Sequence, residues 1–304
     1  MEKILVVVAG PTGVGKTAMA IRLAQSLDTE VISADARQVF REMRIGTARP
    51  SPTELATVPH HLIAHHSIHD RYDAAAYAEE AAKSLQNIHL KKSAAVLCGG
   101  SGLYIRALLE GFDRIPEIPQ IVRDQTVTDF EQFGMEWLKQ EVRSCDPAWF
   151  DQADQENHRR LLRCLEVFRA SGQPLSSFQS GDRQELSCPV VKIALEIPRP
   201  DLYDALDRRV DRMLDEGLWN EAEELFPFRN LQALRTVGYQ EIFDALEGKI
   251  TRDEAVRLIK QHTRNYAKRQ LTWFRADQQY RWFSPQDESG ILDWIQKMRS
   301  GITD

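Results

Sequence analysis

The chain has 304 residues, 42% of them hydrophobic, and a formal net charge of −6, which suit one large globular domain or a core with a smaller lobe. No apolar run approaches the roughly 20 residues of a membrane span, and the acidic balance argues weakly against nucleic-acid binding by the chain as a whole. Four scattered cysteines, none in a C-x-x-C pair, favour reduced thiols in a cytoplasmic protein over a disulfide or zinc framework.

The N-terminal segment ILVVVA predicts a buried strand that runs directly into the sequence GPTGVGKT. This sequence matches the phosphate-loop pattern G-x-x-x-x-G-K-[ST], a common ATP- and GTP-binding pattern, at every fixed position. Its glycines let successive N–H groups point at one anion, while Lys16 adds a charge and the Thr17 hydroxyl is a candidate Mg²⁺ ligand. We therefore predict a di- or triphosphate-binding loop made of Gly10, Pro11, Thr12, Gly13, Val14, Gly15, Lys16 and Thr17.

Strands and helices alternate along the first third of the chain. After the phosphate loop come a helix from Thr17, a strand EVISA, a helix AAAYAEEAAKSLQNIH, a strand SAAVLC and the block GGSGLYIRALLEG. Such alternation predicts a parallel sheet with functional residues at the carboxyl ends of its strands. The expected fold class is therefore α/β, with a core like that of the P-loop NTPases.

The pattern changes at DRIPEIPQI, after which only helical periodicity is present until CPVVKIALEI suggests a return to the sheet. We therefore predict a P-loop core over residues 1–111 and 187–304, interrupted by an inserted all-helical lobe over residues 112–186. The remaining C-terminal part reads as helical, apart from a possible terminal strand QQYRWF.

Asp35 follows the strand EVISA and should face the same cleft as the phosphate loop. A helix cap and a Mg²⁺-binding acid of the kind found in P-loop NTPases are alternative interpretations. The next strand, however, ends in Gly99 and Gly100 rather than an acid, and no guanine-reading N-K-x-D is present. These absences count against a conventional GTPase or motor ATPase.

Histidines are concentrated in the segment PHHLIAHHSIHD, which suggests a zinc site. The segment has no accompanying cysteine and no H-E-x-x-H pattern, so loop packing and substrate contact are the favoured interpretations. The histidines concerned are His60, His61, His65, His66 and His69.

Two basic segments stand out against the acidic balance. In HRRLLRCLEVFR, Arg159 and Arg163 lie one helical turn apart with Arg160 beside them, which indicates either a solvated face or a phosphate-gripping helix. Residues 255–276 contain no acid, whereas the helix after residue 200 is rich in aspartate. These two helices either pair with each other or give the protein one basic face.

Together these segments resemble the tRNA dimethylallyltransferases, also called tRNA isopentenyltransferases, in blocks that follow the family's order along essentially the whole chain. The blocks are GPTGVGKT, ISADARQVFREMRIGTARP, VPHHLI, GGSGLYIRALLEG, RRLLRCLEVFRASGQPLS, LRTVGYQEI and NYAKRQLTWFR. The lack of a C-terminal zinc-finger extension favours the bacterial type. The chain departs from the residues usual in the family at five positions: Ala36, Phe40, Ala64, Ser101 and Glu156. These differences put individual tRNA contacts in question, but not the reaction.

The resemblance implies that the loop holds the diphosphate of dimethylallyl diphosphate and that the five-carbon group passes to N6 of the adenosine 3′ of the anticodon. It implies Mg²⁺ at Thr17, Asp35 as general base, Ser101 as a positioning hydroxyl and Arg235 as a cation for the leaving group. The implied partner is the tRNA anticodon stem-loop, bound by a cytoplasmic monomer. The implied tRNA contacts are Asp35, Ala36, Arg37, Gln38, Ser101, Arg123, Arg159, Arg160, Leu161, Leu162 and Arg163.

Three other functions fit part of the pattern. A small-molecule kinase would share the loop and sheet, but it leaves RTVGYQE and the arginine-bearing lobe unexplained. An isopentenyltransferase acting on free adenine nucleotides would keep Asp35 and the loop without most of the tRNA contacts. A non-catalytic RNA-binding regulator would bind tRNA without product, and ATP could also occupy the loop unproductively.

Overall fold

The computed structural model describes residues 3–111, 115–179 and 186–301. The chain divides into two units, one comprising Met1–Glu110 with Leu186–Asp304 and the other Gly111–Glu185. The first predicted lobe boundary, residue 112, and residues 180–185 of the turn-rich exit lie outside the described residues.

The larger unit contains a parallel sheet, which within the described residues has six strands in the order β3-β2-β4-β1-β5-β6. Every adjacent pair in this order is parallel, so the predicted parallel α/β core is confirmed. The two-residue strand β3 was not predicted, because it is too short to show a period. The strands are β1 (Ile4–Ala9), β2 (Val31–Ser33), β3 (His60–His61), β4 (Ala94–Cys98), β5 (Val190–Leu195) and β6 (Arg281–Phe283).

Helices of the larger unit follow or connect these strands, and the last of them follows β6. Between β1 and β5 lie α1 (Lys16–Ser26), α2 (Pro52–Thr57), α3 (Ala74–His89) and α4 (Gly102–Glu110). After the helices of the smaller unit, α5 to α7, come α8 (Arg199–Asp215), α9 (Leu218–Leu225), α10 (Tyr239–Leu246), α11 (Arg252–Arg275) and α12 (Glu288–Arg299).

Both faces of the sheet are covered by helices, which explains why β1 is apolar at every position. Ile4, Val6 and Val8 pack on one face in a cluster with residues of α1, α8 and α12. The alternate side chains of β1 pack on the other face with residues of α3 and α4 and with Phe274 of α11. The unit therefore has three layers, with the ligand-binding edge at the carboxyl ends of the strands.

A third cluster secures the loop that follows β2. Val39, Phe40 and Met43 of that loop are buried against residues of α8, α9, α10 and α11. The loop also has polar anchors, since the Glu221 carboxylate accepts hydrogen bonds from the backbone N–H groups of Arg44, Ile45 and Gly46 at 2.8–3.0 Å. The segment downstream of Asp35 is thus tied to helices far along the chain.

The smaller unit is helical, as predicted for the lobe, and has its own hydrophobic core. Its helices are α5 (Gln120–Cys145), which is interrupted at Gly134, α6 (Pro147–Phe150) and α7 (His158–Ser171). Asp146 is 1% exposed and accepts hydrogen bonds from the Trp149 N–H and from the N–H and hydroxyl of Ser176. These bonds satisfy a buried carboxylate and join α6 to the 3₁₀ turn at Leu175–Phe178.

Among the described residues, no helix combines the length and the apolar character that crossing a bilayer requires.

Candidate functional site

The phosphate loop has the backbone shape that its glycines permit. Gly10 and Gly13 have φ angles of +139° and +81°, which L side chains rarely adopt. A Cβ on Gly10 would lie 2.7 Å from the Leu195 carbonyl oxygen, and one on Gly13 would lie 2.7 Å from Leu206 Cδ2. The loop is therefore packed tightly against β5 and α8, and only glycine fits at these positions.

Lys16 folds back over this loop. Its Nζ donates a hydrogen bond to the Pro11 carbonyl at 2.7 Å. Burial and, to a smaller extent, the charge on Arg209 lower the pKa of Lys16 to about 8, whereas Cys98 and Asp35 oppose the shift. Lys16 therefore stays mostly protonated at neutral pH, and a bound anion would be expected to raise its pKa again.

A cavity of about 980 Å³ opens beside the loop. The carboxyl ends of β1, β2 and β4 all contribute to its wall, and α8 contributes three arginines. It is lined, among other residues, by Thr12, Gly13, Gly15, Lys16, Thr17, Ser33, Asp35, Gln38, Cys98, Gly99, Arg208, Arg209 and Arg212. The predicted phosphate loop and Asp35 therefore face one cavity.

Asp35 is held by the backbone that follows it. Its Oδ1 accepts the N–H of Arg37 at 2.9 Å and that of Gln38 at 3.3 Å. Among the described residues its Oδ2 has no hydrogen-bond partner and remains available to a ligand. The negative charge of Asp35 opposes the lowering of the pKa that burial causes at Lys16 and at Arg209. The three groups therefore lie close enough to interact electrostatically.

Ser101 links the loops after β2 and β4. Its Oγ accepts the Ala36 N–H at 2.9 Å, and its own N–H donates to the Ala34 carbonyl at 3.2 Å. A Cβ on Gly99 would lie only 2.0 Å from the same carbonyl oxygen, so the two loops are in backbone contact. Ser101 does not line the cavity, and its geometry is that of a positioning residue for the Asp35 loop.

Gln270 is a site residue that the sequence reasoning missed. It is 6% exposed; its Oε1 accepts the Thr12 N–H at 2.8 Å and its Nε2 donates to the Gly100 carbonyl at 2.9 Å. The amide thus joins the phosphate loop to the loop after β4. The sequence contained a signal for the burial of Gln270, because its spacing places it on the same helical face as Ala267 and Phe274, both fully buried.

Arg235, predicted as the cation for the leaving group, is not brought into this cavity. It is an exposed residue following a short 3₁₀ turn, Gln232–Leu234, whose Ala233 and Leu234 are buried in the third cluster. Arg209 of α8 lines the cavity instead, and burial lowers its pKa. The sequence analysis described this helix by its aspartates and did not identify the arginines that line the cavity.

The acid-rich helix α8 and the acid-free segment of α11, residues 255–275, do pair with each other. Lys260 Nζ lies 2.6 Å from Asp211 Oδ1, and Arg264 donates to Asp207. Within the described part of the chain, Lys268 and Arg269 of α11 have no ion pair, and Arg269 lies over the Tyr266 ring at 5.7 Å. The pairing interpretation is therefore confirmed for Lys260 and Arg264, and a basic face remains a prediction for Lys268 and Arg269.

In the smaller unit, the predicted tRNA contacts have different environments. Arg159 and Arg160 are exposed at the start of α7, and Arg160 lies over the Trp149 ring at 5.8 Å. Arg163 is partly buried and lies 3.8 Å from Glu166, while Arg123 donates to the Ile118 carbonyl. The prediction for the side chain of Leu161 is wrong, because it is fully buried in the core; Leu162 packs against the same core.

Comparison with known proteins gives one consistent result. The family model described as IPP transferase matches residues 38–277. A tRNA dimethylallyltransferase of Cytophaga hutchinsonii is 43% identical over 296 residues, covering 97% of each chain. That of Christiangramia forsetii is 41% identical over 297 residues, covering 97% of this chain and 98% of the relative.

Solved structures agree with this result. The full-length tRNA isopentenylpyrophosphate transferase of Bacillus halodurans superposes with a TM-score of 0.71 at 34% identity, covering 99% of this chain and 97% of that one. A eukaryotic dimethylallyltransferase acting on tRNA has a TM-score of 0.77 at 24% identity, covering 95% of this chain and 75% of that one. The second likeness supports the fold alone.

Replacing Gln270 with methionine, which has a similar shape, should leave a buried N–H and a buried C=O without partners. We expect a loss of about 1–3 kcal/mol of stability, since that is the cost of orphaning such groups. Affinity for Mg²⁺-diphosphate, measured by titration calorimetry, should fall on the order of tenfold, about 1.4 kcal/mol. The control is Gln261→Met on the same helix, where the amide accepts a bond from the exposed Arg257. Equal diphosphate affinity in both variants would contradict a positioning role for Gln270.

Proposed function

The chain belongs to the IPP transferase family, and from this we propose that it transfers a dimethylallyl group from dimethylallyl diphosphate to tRNA. The acceptor is N6 of the adenosine 3′-adjacent to the anticodon, and diphosphate is released. We further propose that it acts as a cytoplasmic monomer on the anticodon stem-loop. The observation that carries the proposal is the single cavity faced by both the phosphate loop and Asp35.

The donor's diphosphate fits the cationic side of this cavity. Breaking the allylic C–O bond leaves the electron pair on diphosphate, so the step needs positive groups where that charge develops. Lys16 of α1 and Arg209 of α8 both line the cavity and supply them, and the backbone N–H groups of Gly13 and Gly15 add to them. Because these groups are partly desolvated, each acts on the leaving group more strongly than it would in water.

Mg²⁺ fits the residues at the start of α1. Thr17 and Ser33 line the cavity and both carry a hydroxyl, and Mg²⁺ in phosphate sites is typically held by one or two protein oxygens together with the phosphates. The ion would neutralise part of the diphosphate charge when bound. Burial raises the pKa of Cys98 to about 11, so the side chain at the end of β4 remains a neutral thiol and not a Mg²⁺ ligand.

Asp35 is suited to act on the acceptor. The N6 amine attacks the allylic carbon, forms the new C–N bond and must then lose a proton. Asp35 Oδ1 is occupied by two backbone N–H groups, which orient the carboxylate and leave Oδ2 to accept that proton. Proton transfer to Asp35 balances the step, and the dimethylallyl group ends on N6.

An RNA acceptor suits the remaining surface features. A base in a tRNA loop can be turned out for chemistry at lower cost than a base in a duplex. Lys268 and Arg269 are cations without ion pairs in the described residues, and the nearby Tyr266 and Trp273 are exposed aromatics. Arg159 and Arg160 offer further charges on the smaller unit. Exposed cations and aromatic rings are the groups with which proteins bind unpaired RNA.

The reaction itself is the first test. The protein is incubated with Mg²⁺, dimethylallyl diphosphate and an anticodon stem-loop bearing adenosine after the anticodon, and the RNA is weighed by mass spectrometry. We expect a gain of one five-carbon unit that disappears when that adenosine is replaced. Phosphate transfer from labelled ATP to a small molecule, with no change in the RNA, would support the kinase interpretation instead.

Substituting Asp35 with asparagine removes the proposed proton acceptor while preserving size. We expect kcat to fall on the order of 10²- to 10⁴-fold, the usual contribution of a general base. Binding of the stem-loop, measured by filter retention, should change little. Asp28→Asn is a matched control, since Asp28 is an exposed aspartate paired with Lys92. Unchanged turnover in Asp35→Asn would remove this residue from the proton transfer.

The roles of Arg209 and Arg235 in donor binding can be distinguished by making the same substitution at each position. We expect Arg209→Lys to raise the donor KM on the order of tenfold or more, because lysine lacks the planar fork that binds two phosphate oxygens. Arg235→Lys should leave the donor KM near that of the unmodified protein, since Arg235 does not line the cavity. Steady-state kinetics with varied dimethylallyl diphosphate measures both. The reverse order of effects would restore the role first predicted for Arg235.

A further inference from the structure

Three side chains outside the cavity converge where the loop after β3 meets α3. His65 Nε2 lies 2.8 Å from Glu80 Oε2, and His66 Nε2 lies 3.1 Å from Glu80 Oε1. One ligand atom from each residue lies within 4.8 Å of the other two. None of the three lines the cavity described above, so the mechanism does not explain their convergence.

We propose that His65, His66 and Glu80 form a binding site for a divalent transition-metal ion of the Zn²⁺ class. Two imidazole nitrogens and one carboxylate oxygen are a common donor set for Zn²⁺, with a fourth position left for water. The inference does not rest on the proposed transferase reaction. From the sequence alone, loop packing and substrate contact were favoured over a metal site for the histidine-rich segment. The structure changes this interpretation because it adds a carboxylate ligand, Glu80, from helix α3.

The ring of His66 lies between two carboxylates. Its Nδ1 faces Asp70 Oδ2 at 3.4 Å while its Nε2 faces Glu80 Oε1 at 3.1 Å. An ionised carboxylate only accepts hydrogen bonds, so this arrangement suits a bound cation on Nε2. With a metal on Nε2, the neutral ring donates Nδ1–H to Asp70, which is the carboxylate–histidine–metal arrangement.

Tyr72 holds the three proposed ligands together. Its hydroxyl donates to Glu80 Oε2 at 2.9 Å, and its ring centroid lies 5.7 Å from that of His65 and 4.2 Å from that of His66. The nearby guanidinium of Arg41 opposes a cation here, whereas the carboxylates of Glu80 and Asp70 favour one.

A metal here would stabilise the loop that carries the acceptor-side residues. The backbone N–H groups of His65 and His66 both donate to the Val39 carbonyl at 3.0 Å, and the Arg41 N–H donates to the His66 carbonyl at 2.9 Å. The histidine loop is therefore hydrogen-bonded directly to the segment that begins at Asp35. The expected role of the ion is structural, since no ligand of the proposed site borders the cavity.

The full-length protein, stripped with a chelator, is titrated with Zn²⁺ by calorimetry in buffers of different ionisation enthalpy. We expect one equivalent to bind and protons to be released to the buffer, because metal ligands bind in their deprotonated forms. His66→Gln and Glu80→Gln should abolish this binding, and Asp70→Asn should weaken it about 10- to 100-fold, as for other outer ligands. His69→Gln is the control, because His69 is exposed and contacts Phe228.

The absorption spectrum of the Co²⁺-loaded protein provides the second readout, because thiolate ligands give intense charge-transfer bands and imidazole and carboxylate ligands do not. We expect a tetrahedral or five-coordinate spectrum without those bands, unchanged in Cys145→Ser. Circular dichroism at each step separates loss of ligands from loss of fold. No Zn²⁺ binding, or binding that survives His66→Gln in a folded protein, would overturn the proposal and leave the three side chains as a hydrogen-bonded cluster that only stabilises the loop.

Discussion

The close approach of three loops at one edge of the sheet is the constraint on which the rest of the structure depends. Parallel strands bring their carboxyl ends together, but here the loops also touch, since Gly99 lies against the Ala34 carbonyl with no room for a side chain. The buried amide of Gln270 then joins the phosphate loop to the loop after β4. Each loop is therefore held by its neighbours, and these contacts fix the spacing between the phosphate loop and Asp35.

Many charged side chains lie at the same edge of the sheet. In a protein with a net charge of −6, one cavity brings several cations together, although acidic residues line it as well. The cations are Lys16, Arg44, Arg49, Arg208, Arg209 and Arg212, and the carboxylates are Asp35, Glu54, Asp211, Asp215 and Glu216. Other basic residues of the core are neutralised by helix pairing, as Lys260 is by Asp211 and Arg264 by Asp207. Burial disfavours the charged forms of Lys16 and Arg209. An anionic ligand would stabilise these charged forms and so offset the free energy of desolvation.

The segment from Asp35 to residue 49 is anchored from two directions. Glu221 accepts the N–H groups of Arg44, Ile45 and Gly46 and the hydroxyl of Tyr239, and Gly46 leaves room for that ring. The histidine loop holds the opposite end through the Val39 carbonyl. The segment that carries Asp35 is thus positioned by packing and hydrogen bonds on both sides, rather than by a regular element of its own.

The sequence by itself determined the α/β class, the parallel sheet, the phosphate loop and the position of Asp35 after β2. These features are encoded locally, in the period of apolar residues and in the fixed spacing of glycine, lysine and threonine. Only the tertiary structure decided that Arg209 rather than Arg235 faces the cavity, that Leu161 is buried, and that His65 and His66 meet Glu80. Gln270 lies 258 residues from Thr12, and no local pattern specifies a contact at that separation. Such contacts depend on how distant helices pack against the sheet, which is a property of the whole core rather than of any segment.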